Sequence, residues 1–260
     1  MASFTMNDIP DLTGKDIIVT GGTAGLGLVS VVAFAKHGAH VITTARNEKR
    51  AQEGTTAIYT ALAESSGISL DEARFKFKVD VKIANQEDLK SVNAFADWFL
   101  AQNLKLHVLL CNAGIAFPPF KLIDGIESTF YVNHVSHHLL VKRLLPVIRA
   151  SAPSRIVFVS SLAHTIPTSV VYDPQPTTDN YYDAHSYGWS KAANIMDANY
   201  FQRLVGSDAV FINSLHPGSV STSIATRERD AAKASWLSWM IATLVTYFGS
   251  TPEKGALTQM

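Results

Sequence analysis

The chain has 260 residues, of which 47% are hydrophobic and 17% are charged. This size and composition fit a globular protein with one large core and exclude a disordered chain. Lysine plus arginine and aspartate plus glutamate each number 22, so no excess charge attracts the chain to nucleic acid. We therefore expect a small-molecule ligand and no nucleic-acid partner.

The expected location is cytoplasmic. Cys111 is the single cysteine and cannot form an internal disulfide, and the first residues lack the pattern of a signal peptide. No apolar run is long enough for a transmembrane span. The nearest is the uncharged run 234–248, which has two interpretations: a lid over a substrate pocket, or a helix in peripheral contact with a membrane.

Short runs rich in β-branched residues alternate with longer segments of helical period, an order that predicts βαβ units. We expect strands at 16–20, 40–44, 74–80, 107–111, 155–160 and 210–215, and helices at 25–38, 47–65, 85–101, 122–150 and 185–205. These crossovers can cover both faces of a sheet. The prediction is a doubly wound (Rossmann) α/β fold, with a parallel sheet between two helical layers in a single domain 1–260. The irregular segments 162–184 and 217–250 follow strand ends and are expected to form the substrate pocket.

The first strand is followed by the glycine-rich stretch TGGTAGLG at 20–27, which opens the first helix. Glycines permit a tight turn and a close approach of the backbone to a pyrophosphate, and the helix N-terminus offers free N–H groups. A Walker-type loop is excluded because no Gly-Lys-Ser/Thr follows. The position between strand and helix predicts a dinucleotide site, against the alternative of a turn without a ligand. The expected contacts are Gly21, Thr23, Gly25, Leu26 and Gly27.

The end of the second strand bears on the choice of coenzyme. An NAD site carries an acidic residue there, which binds the ribose 2′-hydroxyl. Here Ala45 is near that position and Arg46 follows, and a guanidinium suits a 2′-phosphate. We therefore predict NADP(H). The alternative is that Arg46 is solvated and Glu48 reaches the ribose, although Glu48 also fits a charge at a helix N-terminus.

Tyr187 and Lys191 are four residues apart on a predicted helix and therefore neighbours. A positive charge beside a phenol favours its ionised form, so the pair suits acid–base catalysis, although this spacing arises often by chance. Ser161 follows the fifth strand and can donate a hydrogen bond to a substrate oxygen. Adjacent strand-end residues point in opposite directions, so Ser160 is the alternative to Ser161.

Three histidines, His134, His137 and His138, share helical spacing. No metal site is predicted, because no carboxylate or cysteine is placed to complete a ligand set, and we expect a solvent-facing or packed cluster. Ser161 with His164 does not indicate a hydrolase, because the chain has no Gly-x-Ser-x-Gly elbow.

These ordered motifs resemble the short-chain dehydrogenase/reductase family over almost the whole chain. The 26-residue interval from Ser161 to Tyr187, the sequence VSSLAH ending at His164 and the sequence TPEKGA at 251–256 are most similar to its retinol-dehydrogenase and WW-domain-oxidoreductase-like branch. The resemblance implies four catalytic residues, Asn133, Ser161, Tyr187 and Lys191. It implies further cofactor contacts at Asp80, Asn112, Ala113, Gly114, Tyr187, Lys191, Pro217, Gly218, Val220 and Thr222.

The resemblance implies that Asn133 positions a water molecule and the backbone behind the lysine, which together form a proton relay. The alternative is that Asn133 lies on the surface of its helix. The family normally has a seventh strand after the helix that begins near Pro252, and this sequence ends at Met260. We therefore expect six strands in this chain, or a sequence shortened from a longer form. The missing strand often forms a subunit contact, so the oligomeric state is left open.

The function implied is an NADP(H)-dependent oxidoreductase that interconverts an alcohol and a ketone or aldehyde. Apolar side chains in 217–250 favour a lipophilic small-molecule substrate. Secondary metabolism and the removal of reactive lipid carbonyls fit equally well. The alternative is a catalytically silent NADP(H)-binding sensor or scaffold of the same fold.

Overall fold

The computed structural model describes residues 4–167, 181–218 and 251–260. The strands of its main sheet are β1 (Asp16–Val19), β2 (His40–Ala45), β3 (Val79–Ile83), β4 (Val108–Cys111), β7 (Ser154–Val159) and β8 (Val210–Leu215), and a separate hairpin consists of β5 (Leu122–Ile123) and β6 (Ile126–Glu127). The main sheet is parallel throughout, in the order β3-β2-β1-β4-β7-β8. The order reverses between β1 and β4, which opens a crevice at their carboxyl ends.

The helices are α1 (Gly25–Lys36), α2 (Glu48–Ser66), α3 (Leu70–Lys76), α4 (Leu89–Ala101), α5 (Ser128–Phe130), α6 (Ser136–Ala150), α7 (Asp183–Val205) and α8 (Pro252–Ala256). A π-helix, Tyr131–Val135, connects α5 to α6. Short 3-10 helices lie at Met6–Asp8, Leu162–Thr165 and Leu257–Gln259.

Both faces of the sheet are buried. Ile18 of β1 packs in one core with α4, α6 and α7, whereas its neighbours Ile17 and Val19 pack in a second core with α1 and α2. Successive strand residues point to opposite faces, so a strand covered on both sides must be apolar at consecutive positions. This arrangement confirms the doubly wound fold in a single domain.

The predicted strand at 74–80 was wrong in its position. Arg74 to Lys76 belong to α3, whose start is fixed by a capping box: Ser69 Oγ accepts from Glu72 N (3.2 Å), and Glu72 Oε2 accepts from Ser69 N (2.8 Å). The alternation of Phe75 with charged residues indicated a strand, but Phe75 is 95% exposed. The capping box outweighs the alternation, and β3 begins only at Val79.

The single helix predicted for 122–150 was also wrong at its start. Residues 122–127 form the β5–β6 hairpin, in which Asp124 and Gly125 have φ values of 51° and 78°. Asp-Gly is a preferred pair for such a left-handed two-residue turn. The helical segment begins only at Ser128, where Glu127 Oε1 accepts from Thr129 N (2.9 Å).

Within the described ranges, no helix is long and apolar enough to cross a membrane. The run 234–248 lies outside these ranges, as do residues 168–180 of one predicted pocket segment and 219–250 of the other. The choice between a lid and a membrane contact for 234–248 therefore stays a prediction.

Candidate active site

A cleft of about 820 Å³ runs along the carboxyl ends of β1, β2, β4 and β7. This volume lies in the upper part of the range for ligand pockets, roughly 300–1,000 Å³. The glycine-rich turn after β1 lines one part of the cleft, and Tyr187 and Lys191 of α7 line another. Parallel strands end at one edge of the sheet, which is why motifs distant in sequence meet here.

The glycine-rich turn needs glycine for two separate reasons. Gly21 and Gly25 have φ values of 67° and 55°, a left-handed conformation that other residues rarely adopt. At Gly27 the reason is space, because a Cβ atom would lie 2.5 Å from Asn112 Nδ2 and 2.6 Å from Gly21 O. With Thr23 and Leu26 also in the cleft wall, the first turn of α1 presents its N–H groups to a ligand.

Hydrogen bonds join this turn to the segment after β4. Thr20 Oγ1 accepts from the backbone N–H groups of Asn112 (2.9 Å) and Ala113 (3.0 Å), and Asn112 Nδ2 donates to Thr20 O (2.9 Å). Gln259 approaches the other side of Asn112, with Nε2 3.5 Å from Asn112 Oδ1. Asn112 and Ala113 are therefore bonded to the turn, and together with Gly114 they line the cleft beside it, where the sequence predicted cofactor contacts.

His137, which the sequence placed only in a histidine cluster, supports this wall from the core. Its Nδ1 is 2.9 Å from Asn133 O and its Nε2 is 2.9 Å from Thr20 Oγ1. A carbonyl can only accept, so Nδ1 carries the proton and Nε2 accepts from the Thr20 hydroxyl. Burial lowers the pKa of His137 to about 4. A neutral imidazole therefore connects the cofactor turn to Asn133.

Asn133 is fully buried, so the alternative of a surface position is wrong. Its Oδ1 accepts from Ile115 N (2.8 Å), and its Nδ2 donates to Ile115 O (2.9 Å) and Ser190 Oγ (3.0 Å). The π-helix carries this side chain, and insertions of this kind are frequent at functional sites. Asn133 thus connects the chain after β4 to α7.

Lys191 is buried behind Tyr187, with its Nζ 5.4 Å from the centroid of the tyrosine ring. The same Nζ donates to Val159 O (3.0 Å). Burial lowers the pKa of Lys191 to about 8, so the side chain is still mainly cationic at pH 7. The ring of Phe117 packs against Tyr187 with 5.2 Å between centroids.

The choice between the two serines is decided by their hydroxyl groups. Ser160 Oγ is buried and donates to Lys191 O (2.8 Å), so this side chain holds α7 against β7. Ser161 is partly exposed in the cleft, and its Oγ accepts from Ala163 N (3.2 Å). Both serines border the cleft, and Ser161 is the one whose hydroxyl does not donate to a described acceptor; its role stays a prediction.

At the other end of the cleft, Arg46 lies in the wall together with Arg50 and Glu53. Arg50 is paired with Glu53 (Nη1–Oε2, 2.9 Å). Glu48 is exposed in the first turn of α2 and is not part of the wall. Of the two predicted alternatives, the structure places Arg46 in the cleft.

Asp80 is the predicted cofactor residue that the structure places elsewhere. It lies near the start of β3, where its Oδ2 is 3.1 Å from His40 Nε2, and it borders a different pocket at the amino end of the sheet. Because β3 continues to Ile83, the residues that enter the cleft after it are Asn85, Gln86 and Glu87, which the sequence analysis missed. These three residues could have been found only from the register of β3 in the sheet, which the sequence alone did not give.

The last four predicted cofactor contacts follow β8. Pro217 and Gly218 line the cleft, whereas Val220 and Thr222 lie outside the described residues.

The fold and this cleft define a class: α/β proteins of the dinucleotide-binding fold with a tyrosine and a lysine in the same cleft as the glycine-rich turn. Comparison with known proteins supports the same class. The short chain dehydrogenase family profile matches residues 15–233, and the chain belongs to that family.

Individual relatives support the membership. The chain is 35% identical over 260 residues to the WW domain-containing oxidoreductase of Danio rerio, covering 95% of this chain and 58% of that protein. It is 34% identical to retinol dehydrogenase 11 of Homo sapiens, covering 96% and 72%. The chain thus spans little more than half the length of the first relative. A solved structure, L-sorbose reductase of Gluconobacter frateurii complexed with NADPH and L-sorbose, has a TM-score of 0.65 at 21% identity, covering 95% and 89%, which supports the fold alone.

Proposed function

We propose that the protein is an NADP(H)-dependent oxidoreductase that interconverts an alcohol and a ketone or aldehyde on a lipophilic small molecule. The observation that carries the proposal is the meeting of Tyr187, Lys191 and Ser161 with the glycine-rich turn in one cleft. The family fold binds a nicotinamide dinucleotide, and the glycines of the turn permit the tight backbone packing of a pyrophosphate-binding turn.

The bound coenzyme supplies hydride chemistry, and the residues of the chain handle the proton and the developing charge. Tyr187 is the general acid/base for the substrate oxygen. Lys191 favours the ionised phenol because it is a buried cation beside the ring. Ser161 donates to the same oxygen, and Asn133 holds Ile115 and the side chain of Ser190, the neighbour of Lys191, in place.

The preference for NADP(H) rests on the wall around Arg46. Among the described residues Arg46 has no ion-pair partner, whereas Arg50 is paired with Glu53. A guanidinium in this state can bind a 2′-phosphate in bidentate geometry. The acidic side chain that repels such a phosphate in NAD sites is replaced by Ala45.

The substrate end of the cleft is apolar. Its wall contains Ile115, Phe117, Val132, Leu162 and Ile166. Phe117 has a φ of 50°, a strained conformation for a bulky residue, and its ring lies against Tyr187. Apolar walls with a few polar groups recognise lipophilic molecules. A role in secondary metabolism and a cytoplasmic location stay predictions.

Turnover is tested by following NADPH consumption with a panel of aliphatic, aromatic, steroid and polyketide-like ketones and aldehydes. Tyr187→Phe should reduce kcat by roughly 10²–10⁴-fold and leave NADPH binding within about twofold, because only the proton transfer is lost. Tyr182→Phe is the matched control on the exposed start of α7 and should keep full activity. NADPH binding without turnover on any compound would favour the silent sensor or scaffold, and full activity of Tyr187→Phe would refute the mechanism.

Coenzyme preference is tested by titration of both coenzymes. Arg46→Ala should weaken NADPH binding by roughly 10–100-fold and NADH binding by less than about threefold, since a charged hydrogen bond is worth ~1.5–3 kcal/mol. Lys49→Ala, which removes an exposed cation nearby, is the control. An equal loss for both coenzymes would mean that Arg46 does not contact the 2′-phosphate.

A further inference from the structure

Two of the three clustered histidines meet a buried carboxylate that the sequence could not place. His134 and His138 lie one helical turn apart, and Asp197 of α7 faces both of them. A single carboxylate oxygen, Asp197 Oδ2, is 3.1 Å from His138 Nδ1 and 3.4 Å from His134 Nδ1. His137 points away from this group, toward Thr20 and the Asn133 carbonyl.

We propose that His134, His138 and Asp197 form a zinc site between the helical segment 128–150 and α7. Two imidazoles and one carboxylate are a common protein ligand set for Zn²⁺ and a poor one for the oxygen-preferring Mg²⁺ or Ca²⁺. The potential ligand atoms lie within 4.8 Å of one another. Around a tetrahedral ion with bonds of ~2.0–2.1 Å, neighbouring ligand atoms are ~3.3 Å apart, so two of the distances already fit.

A second observation is the lack of hydrogen bonds at the buried atoms of this group. The side chain of Asn194 is 1% exposed and faces the His134 ring. Asn194 Oδ1 and His134 Nδ1 make no hydrogen bond of good geometry to a described residue, although the two side chains are close enough to interact and His134 Nδ1 is 3.4 Å from Asp197 Oδ2. Buried polar atoms without partners are costly, and a cation would satisfy both. Asn194 Oδ1 or a water is then the fourth ligand.

The surroundings also fit a metal site. The rings of Phe130 and His134 pack at 4.9 Å, and those of His138 and Phe201 at 5.2 Å, so aromatic contacts orient both imidazoles. His138 is 40% exposed, which leaves an entry path for the ion and room for the imidazole ring to adjust to it. The ion would clamp the segment that carries Asn133 onto the helix that carries Lys191.

The proposal is tested by calorimetric titration of ZnCl₂ into untagged, EDTA-treated protein without coenzyme. We expect one Zn²⁺ per chain and, at saturation, a rise in Tm of about 5–10 °C. Asp197→Asn and His138→Gln should each weaken binding at least tenfold, because even outer partners of a metal are worth ~10–100-fold.

Two variants outside the group serve as controls: His37→Gln at the end of α1, and Asp208→Asn, whose partner is Arg149. Both should bind Zn²⁺ like the wild type. His138 is partly exposed, so His138→Gln is expected to fold even if Asp197→Asn does not. The proposal is overturned if the wild type binds no Zn²⁺, or if His138→Gln binds it with unchanged affinity, in which case the three residues form an ion-pair group only.

Discussion

The two ends of the parallel sheet differ in whether their charged groups are paired with one another. At the carboxyl end, Arg46 and the first turn of α1 face the open cleft. At the amino end, His40 lies between two carboxylates, 2.8 Å from Asp16 and 3.1 Å from Asp80. Groups paired with each other are poor ligand contacts, whereas unpaired cations and helix N–H groups attract an anion. The polarity of the sheet therefore separates a binding end from a structural end.

A large effect on NADPH binding is expected at the carboxyl end from Gly27→Ala. The added methyl group would overlap Asn112 Nδ2 and the Gly21 carbonyl, so the turn must shift. We expect NADPH binding to weaken by roughly 5–150-fold, because the shifted turn no longer fits the coenzyme and the overpacking cost of ~1–3 kcal/mol corresponds to this range. Fluorescence titration of NADPH measures this loss.

Gly67→Ala is the matched control for Gly27→Ala. It lies at the end of α2 with a φ of 65° and open space around it, so it should cost ~1–2 kcal/mol of stability and no coenzyme affinity. Unchanged binding by Gly27→Ala would show that the turn does not need its close packing.

A smaller effect is expected from His137→Phe, which removes the connection below the cleft. At pH 7 the free energy of unfolding should fall by ~1–3 kcal/mol, because Thr20 and the Asn133 carbonyl lose a buried partner. The folded-state pKa of about 4 is below the ordinary 6.5, so the stabilisation by neutral His137 is complete above pH 6.5 and is lost as the pH falls toward 4. Urea unfolding at pH 7, 5.5 and 4 should show the two proteins converging. A pH-independent difference would contradict the neutral, hydrogen-bonded imidazole.

The smallest effects on NADPH affinity are expected from a pair of variants, one at each end of the sheet. Asn85→Ala, at the cleft, should weaken NADPH binding by about three- to tenfold through loss of a hydrogen bond. Asp80→Asn, at the amino end, should leave the affinity for NADPH unchanged, because its contact is with His40. Titration of both variants with NADPH under the same conditions measures the two losses of affinity. A larger loss of NADPH affinity for Asp80→Asn than for Asn85→Ala would show that Asp80 contacts the coenzyme, as the family resemblance implies.

The sequence predicted the parts of the fold that depend on periodicity and the parts of the site that depend on local motifs. The apolar runs of β1 and β4, the turn at 20–27 and the pair Tyr187 and Lys191 are of this kind. It failed where two local signals competed, as in α3, where the capping box at Ser69 outweighed the alternation around Phe75.

Contacts between distant segments could not be predicted, because each of their residues has an ordinary local interpretation. His137 fits a packed helix face, and only the fold brings its ring to Thr20, 117 residues away. Asn85 is an ordinary loop residue until the register of β3 against β2 is known.

The π-helix Tyr131–Val135 makes the position of Asn133 sensitive to insertions and deletions in related sequences. Its wider turn holds one residue more than an α-helical turn would, and each residue of an α-helix advances the chain by ~100° around the axis. Deleting Tyr131 or Val132 would leave every proposed catalytic side chain in the sequence and rotate Asn133 away from Ser190. The position of Asn133 beside the cleft is therefore encoded in a residue count as well as in residue identities, and an aligned asparagine is insufficient evidence of an intact site.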